Sequence, residues 1–492
     1  MRQHGHSHAV NLEGAAHRAA FSLLRSRPSA SAGNRVPVPA ALWAGPAAFL
    51  CVLALIDPAL PVMAVSLFAG AAFLVMASLR LMGTALAPSH APRTPGPDGA
   101  LPTITIIAAL HKEAQSVAAL VQALSRFDYP AHRHDIALAI EADDFETLSA
   151  AYEAARHAAI RVSVIPVPAV GPRTKPKALN YALALTSGAL VAVYDAEDAP
   201  HPGQLRAAAE AFSTDPGLGC VQAPLGWYNR TECWLTRIFA LEYAAQFHVM
   251  LPLFARLGWP LPLGGTSNVF SRAALADCGG WDPFNVTEDA DLGFRLARHG
   301  WRTGLIAPGT LEEAPVTLKA WTAQRSRWLK GHAISWAVQM RERSALRCET
   351  GLGGWFALQA SLGANALSAI AHAPAVAFVL SMVVLALMAG KAPLVLIPVL
   401  TGYAAAMLAA REGARRAGFR AQWRDLLALP VYWLLQSAAM ARALREIVKA
   451  PYFWAKTEHG LTARARTSPL EPHSHPCLDG GHRTGLRVLR MA

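Results

Sequence analysis

The chain has 492 residues, of which 53% are hydrophobic and 16% charged, and it carries a formal charge of +12. Ordinary soluble proteins hold roughly 25% charged residues, so this balance excludes disorder over most of the length and argues against a purely soluble protein. The six cysteines are scattered at 51, 220, 233, 278, 348 and 477 with no CxxC spacing, which excludes a disulfide scaffold and a structural zinc site.

Residues 1–40 hold five Arg against one Glu and read as a basic cytosolic tail. From 41 to 79 the one formal charge is Asp57, in the turn Ile56-Asp57-Pro58. The apolar stretches 42–56 and 60–79 predict two transmembrane helices within 41–83, because a bilayer span needs about 20 apolar residues. They start too far into the chain, and come in too close a pair, for a cleaved signal peptide. Residues 84–100 are rich in Pro, Gly and Ser and read as a linker.

Between 101 and 350 the pattern alternates. Runs rich in β-branched residues at 103–109, 136–140, 161–167, 190–195 and 219–223 predict strands, and 113–126 and 176–186 predict helices. Strand and helix in alternation imply a mostly parallel sheet covered on both faces. Ligands bind such sheets beyond the carboxyl ends of the strands. The residues there are His111-Lys112-Glu113, Glu141-Ala142-Asp143-Asp144 and Asp195-Ala196-Glu197-Asp198. One acidic pair at a strand end merely caps a helix; three clusters on one edge argue for a shared ligand. Oxygen donors in such numbers suit Mg²⁺ or Mn²⁺ bridging to phosphates. There is no GxxxxGK[ST] and no GxGxxG, so a P-loop or dinucleotide fold is not supported.

The carboxyl third returns to lipid-like composition. Residues 351–390 contain no Asp, Glu, Lys or Arg. Spans are expected at 375–389 and 394–410, with 355–370 lying in the interface. The loop 411–425 carries Arg411, Arg415, Arg416, Arg420 and Arg424, which the positive-inside bias places in the cytosol together with residues 1–40. The whole of 84–350 is then cytosolic, and 426–440 is read as interfacial or re-entrant, within a membrane region 351–450 of two to four helices. Residues 451–492 form a second basic tail. Its arginines (464, 466, 483, 487, 490) sit beside the spans, so anionic lipid explains them better than nucleic acid. His4, His6 and His8 read as a disordered run rather than a metal site.

Further motifs are Gly264-Gly265-Thr266-Ser267-Asn268, Thr287-Glu288-Asp289, and Gln324-Arg325-Ser326-Arg327-Trp328 on a predicted helix 318–340. Gln324 and Arg327 are three residues apart and Trp328 is four from Gln324, so all three share a face. Taken with Asp143-Asp144 and Asp195-Ala196-Glu197, in this order and between membrane spans, they resemble the membrane-embedded processive family 2 glycosyltransferases, of which cellulose and hyaluronan synthases are the type cases. The resemblance is close over 103–332 and looser in the flanking spans and in 451–460.

The resemblance implies a GT-A nucleotide-sugar fold flanked by transmembrane α-helices. Asp143 or Asp144 would meet the uracil of a UDP-sugar, with Glu113 nearby, and Lys175 and Lys177 the diphosphate. Asp195 and Glu197 would hold the Mg²⁺ or Mn²⁺, with Glu standing where the family has Asp, so that Asp198 competes for the role. Asp289, with Glu288 beside it, would be the general base of an inverting displacement. Gly265, Thr266 and Ser267 would line the acceptor site, Trp328 would stack on the acceptor sugar, Arg327 would neutralise the diphosphate, and Gln324 would be a further substrate-binding residue. The expected activity is that of a hexosyltransferase in the cell inner membrane, multi-pass, with a cytosolic catalytic domain. It would extend a β-linked glycan, with glucose the preferred sugar and N-acetylglucosamine next. Its partners would be the UDP-sugar, the glycan acceptor, the lipid bilayer and export or accessory subunits, and no nucleic acid. Transfer of one sugar to a lipid is the alternative in the same class, and a non-catalytic transporter or scaffold subunit the alternative from another. No RxxxR plus [DN]xSxxG pair marks a cyclic-di-GMP domain.

Overall fold

The structure, a computed structural model, describes residues 2–34, 41–86 and 98–452. The segment 87–97 of the expected linker, the tail 453–492, and the side chains of His4, His6 and His8 lie outside the described residues. The chain begins with helices α1 (Arg2–Ser26), α2 (Ala41–Ile56) and α3 (Ala59–Ala85). Strand and helix then alternate through β1 (Ile104–Leu110), α4 (Val117–Leu124), β2 (His134–Glu141), α5 (Phe145–His157), β3 (Val162–Val167), α6 (Lys175–Leu185) and β4 (Leu190–Tyr194). Next come β5 (Ala199–Pro200), α7 (Gln204–Thr214), β6 (Leu218–Gln222) and β7 (Leu225–Trp227). A long helical stretch follows, made of α8 (Trp234–Ala245), a π turn Gln246–Met250, and α9 (Leu251–Arg256). The domain closes with β8 (Asn268–Ser271), α10 (Arg272–Cys278), α11 (Glu288–Arg298), β9 (Arg302–Leu305) and β10 (Thr310–Glu312). The rest is helical: α12 (Leu318–Met340), α13 (Arg343–Leu358), a π segment Gln359–Gly363, α14 (Ala364–Met388), α15 (Leu396–Arg416) and α16 (Trp423–Lys449).

The seven-stranded sheet has the order β3-β2-β1-β4-β8-β6-β9. All neighbours are parallel except β8, which runs antiparallel to both β4 and β6. The central strands are continuous apolar runs, such as Ile-Ala-Leu-Ala-Ile in β2, buried on both faces as a parallel strand requires. One core layer lies on each side. Ile107, Ala137 and Leu179 face one, and Ile106, Leu120, Leu138 and Leu205 the other. The strand order reverses between β1 and β4, and an open α/β sheet has its binding crevice at such a reversal. Glu113 follows β1 and Asp195 follows β4 directly. A small sheet, β5-β10-β7, flanks that edge.

Among the described residues, three helical stretches are long and apolar enough to cross a membrane: α3, Trp234–Arg256, and Arg343–Met388. The middle one, which composition alone does not single out, has 61% of its 18-residue apolar window buried within the protein, against 11% and 0% for the windows of the other two. Its apolar side chains pack on the protein's own helices. Residues 355–370, expected to lie apart in the interface, are continuous with 375–388 in one helical run. Pro374 sits inside α14 without ending it. A proline costs a helix its local hydrogen bonding, and a neighbouring helix can supply a replacement partner. Here Ser437 Oγ of α16 accepts from the Ala373 amide at 3.2 Å.

Helix α15 is the hub of the helical region. Its inner face is made of small residues: Gly402, Ala405, Ala406, Ala409, Ala410, Gly413 and Ala414 are all buried. Small side chains let helix backbones approach closely. A Cβ added at Gly402 would meet the Phe73 ring at 1.9 Å, and one at Gly413 the Ala244 carbonyl oxygen at 2.4 Å. Arg416 ends the helix and gathers four carbonyls, donating to Gly83, Thr84, Leu86 and His248 at 2.8–3.1 Å.

Candidate active site

Where β4 ends, the backbone turns through Asp195-Ala196-Glu197-Asp198. Asp198 is 1% exposed and faces inward. Its Oδ2 accepts from the Asp195 amide at 2.7 Å and from Thr266 Oγ1. It therefore braces the turn, while Asp195 and Glu197 line the adjoining cavity. The loop after α9 comes up beside them. Gln222, at the end of β6, holds that loop by accepting from the Gly264 amide at 2.7 Å and donating to the Thr266 carbonyl at 3.0 Å. Ser267 takes the left-handed backbone (φ 57°) and buries its hydroxyl on Thr310 Oγ1 at 2.6 Å, away from the cavity. Gly265 and Thr266 do line it.

Lys175, the first residue of α6, closes the group. Its ammonium pairs with Asp195 and donates to the Gly265 carbonyl at 2.6 Å. A Cβ built on Gly265 would lie 3.4 Å from Asp289 Oδ2 and 3.9 Å from Lys175 Nζ, so this backbone runs in van der Waals range of both groups. Glu288 and Asp289 open α11, where the helix dipole favours negative charge.

The electrostatics follow from crowding without water. Burial, then Asp195, pushes Glu197 up to about 7, and burial, then Asp289, does the same to Glu288. Burial also raises Asp289, against the Ala290 amide and Lys175, which favour its charged form. Burial alone would lower the Lys175 ammonium, but Asp195, Glu288 and Asp289 more than offset it and hold its pKa above the ordinary lysine value. Arg327 is lowered by burial, opposed by Glu288, Asp289 and Asp195. Carboxyl groups raised by burial and by one another in a cleft are typical of acid–base sites.

The other expected residues fall into two groups. Glu113, Gln324, Arg327 and Trp328 line the same cavity of about 460 Å³. Gln324 is 6% exposed and its Oε1 has no hydrogen-bond partner. Lys177 is elsewhere: it is fully buried, paired with Glu141 at 2.8 Å and bonded to the Pro168 carbonyl, so it ties α6 to β2 rather than facing a diphosphate. Asp144 caps α5 through the Thr147 amide and accepts from the Lys112 amide at 2.5 Å; burial would raise it, but these bonds hold it below its usual range. Lys112 is itself left-handed (φ 55°). Asp143 pairs with Arg173 at the half-exposed rim.

Sequence reasoning passed over Glu312, Tyr243, Glu242 and Arg325, which also line the cavity. Glu312 Oε1 and Asp198 Oδ1 are buried without a hydrogen-bond partner; burial raises both groups, helped by Asp198 and Glu197 at Glu312 and by Asp195 and Glu197 at Asp198. Oxygen donors left over beside Asp195 and Glu197 fit a hard divalent cation. Among the described residues no three such side chains converge on one point as they stand. Arg325 lies within 4.9–5.5 Å of the Phe239, Trp328 and Trp321 ring centres and pairs with Glu242. Tyr432 and Gln436 of α16 donate to the same carboxylate at 2.8 Å. Trp328 is thus fixed by the helical region, with the Tyr243 ring stacked 6.0 Å away.

Residues 102–331 match the family described as "Glycosyltransferase like family 2". The chain is 30% identical over 233 residues to the β-monoglucosyldiacylglycerol synthase of Synechocystis, which covers 47% of this chain and 48% of that protein. It is 31% identical over 144 residues to glucomannan 4-β-mannosyltransferase 1 of Cyamopsis tetragonoloba, covering 29% of this chain and 27% of the relative. The chain thus spans half or less of the length of these relatives. Among solved structures, the mannosyltransferase PcManGT of Pyrobaculum calidifontis, in complex with GDP-Man and Mn²⁺, aligns with a TM-score of 0.47 and 21% identity over 70% of this chain and 96% of its own. The matched segment has the mostly parallel sheet expected of a GT-A fold, and two apolar helical stretches of membrane-crossing length, α3 and Arg343–Met388, flank it.

Proposed function

We propose that this chain is a membrane-associated hexosyltransferase that moves a single sugar, with glucose the preferred one, from UDP to the hydroxyl of a lipid acceptor. One observation carries the reading. The carboxylate cluster and an apolar recess belong to a single cavity. One end presents Lys175, Asp195, Glu197, Glu288 and Asp289; the other is walled by Phe73 and Met76 of α3, Ala406 and Ala409 of α15, and Leu429 of α16. A lipid places its hydroxyl among the first and its apolar part among the second. The synthases named for monoglucosyldiacylglycerol support the same acceptor class.

In the reaction Asp289 takes the proton of the acceptor hydroxyl as its oxygen attacks the anomeric carbon. The new carbon–oxygen bond forms while the bond to the β-phosphate breaks, UDP leaves with the electron pair, and the configuration inverts. Lys175 and Arg327 supply positive charge beside the leaving diphosphate. Asp195 and Glu197, with Glu312 behind them, would hold a Mg²⁺ or Mn²⁺ ion, which would further neutralise the charge developing on UDP. Asp143 and Asp144, on the loop braced against Lys112 and Glu113, would contact the uracil.

A second reading, extension of a β-linked polymer, draws support from the aromatic platform of Trp328 and Tyr243, since stacked rings hold sugars as well as lipids. Product length separates the two. The full-length protein in membranes is incubated with labelled UDP-glucose or UDP-N-acetylglucosamine, Mn²⁺ and diacylglycerol. A one-sugar glycolipid is expected. A ladder of products would favour the polymer, and no transfer from any UDP-sugar would sink the enzyme reading.

A further inference from the structure

We propose that residues 27–34, which lie outside the segment matching the family, are a positioning strap for the loop that presents Asp289. The inference rests on the glycosyltransferase reading and adds a required part to its site.

The loop 279–287 leads straight into Glu288 and Asp289. Gly279 and Gly280 both take positive φ (78° and 72°), and Pro283, Asn285, Val286 and Thr287 line the cavity. The anchor of this loop is Asp282, which is fully buried. Two of its partners come from the strap: Ser31 Oγ donates to Oδ1 at 3.0 Å and the Ala32 amide to Oδ2 at 2.6 Å. The third is the loop's own Phe284 amide at 3.1 Å. A buried carboxylate whose strap donors are removed loses most of its hydrogen bonds, and burying one without them is costly.

The strap is in turn fixed from α12, and α1 before it from α6. Arg341, capping the helix that carries Gln324, Arg327 and Trp328, donates to the Ser29, Ser31 and Asn34 carbonyls at 2.6–3.1 Å. Asn180, on the helix that begins with Lys175, donates to Ala19 of α1 and to Trp281 of the loop, and accepts from the Trp281 amide. The packing is close: a Cβ on Gly33 would meet the Phe284 ring at 2.7 Å. Tyr452, which itself lines the cavity, reaches the Ala32 and Gly33 carbonyls at 3.3 and 3.4 Å. The strap therefore joins the loop before Asp289 to the helix that carries Gln324, Arg327 and Trp328, while α1, just before it in the chain, is tied to the helix that begins with Lys175. The strap touches neither Asp195 nor Glu197, so its effect falls on the base and not on the nucleotide.

The test uses full-length Ser31→Ala, Ser31→Thr, Asp282→Asn and the Ser31→Ala/Asp282→Asn double variant. Transfer rate, KM for the UDP-sugar, affinity for UDP with Mn²⁺, and Tm are measured. Ser31→Ala and Asp282→Asn are each expected to lower kcat on the order of 10–100-fold, the loss a misplacement of about 1 Å brings. UDP–Mn²⁺ affinity should stay within about two-fold, Ser31→Thr should restore the rate, and the double variant should be no worse than the worse single one, because the two residues act through one contact. Unchanged kcat in Ser31→Ala, or a parallel loss of UDP affinity and kcat, overturns the strap. Should Asp282→Asn fail to fold, the Ser31→Ala and Ser31→Thr pair decides alone. A wild-type chain that turns over no UDP-sugar brings down the enzyme reading and the strap with it; wild-type turnover with an unaffected Ser31→Ala brings down the strap only.

Discussion

At one end of the cavity, Lys175, Arg327 and the carboxyl groups of Asp195, Glu197, Glu288 and Asp289 crowd together, and burial with mutual repulsion raises Glu197 and Glu288. At the other, the same space is walled by helices, among them α15, whose outer face exposes Ile397, Leu400 and Leu408. The first end gains its chemistry from unsatisfied charge, and its pKa shifts measure the cost. The second gains its shape from the absence of side chain, through glycine and alanine on α15. Polar groups in the first are specified one by one, whereas the second depends on volume alone, so the two should fail differently when altered.

The sharpest break is at the charged end. Asp289→Asn should lower transfer by about 10²–10⁴, the range a positioned general base supplies, with UDP–Mn²⁺ affinity nearly intact. Near-normal transfer in that variant would move the proton to Glu288. Removing divalent ions with a chelator should abolish turnover, and Mn²⁺ or Mg²⁺ should restore it; turnover that persists in the chelator would leave Lys175 as the cation that matters. At the apolar end, Ala406→Trp should fill the recess. Long-chain acceptors should then react about tenfold more slowly while hydrolysis of the UDP-sugar continues, since keeping one or two acceptor methylenes out of the recess costs about 1–2 kcal/mol. Equal loss of both reactions would show that the two ends are not separable.

The smallest effect is in pH. Glu288 stands at about 7 in the folded protein, above the ordinary glutamate value. A carboxyl whose folded pKa is raised binds more protons folded than unfolded, so its contribution to stability is present at low pH and is lost as pH rises through about 7. The transfer rate runs the other way, because Asp289 must be ionised to act. Glu288→Gln should flatten the fall in Tm between pH 5 and 7 and leave an acid limb in the rate. A Tm slope unaltered by the substitution would assign the proton to another group.

The sequence disclosed the two ends unequally. Strands β1 to β4 and β6 and helix α12 from 318 to 340 were legible because apolar runs are strong local signals, and the acidic edge followed from what comes after those strands. The cluster Lys175, Asp195, Glu197, Glu288 and Asp289 came from motif resemblance. Spacing did not distinguish Lys175 from Lys177, two residues apart on one helix; which of them meets Glu141 depends on the packing of α6 against β2. Nor could composition tell that Asp198 braces its own turn, or that the apolar stretch 234–256 faces protein instead of lipid. The antiparallel β8 was missed because its four residues give no periodicity. The role of Ser31 and Asp282 is a contact between positions 251 residues apart, and no local pattern encodes it.

The four carbonyls held by Arg416 carry an implication for synthesis. Those of α3 are translated more than 300 residues before the arginine that pairs with them. At about 5–20 residues per second, that interval lasts on the order of 15–70 seconds. Through that time the end of α3 lacks this partner while the sheet between them emerges and folds. A ribosome halted before Arg416 would leave a complete sheet whose first long helix is not yet fastened to α15.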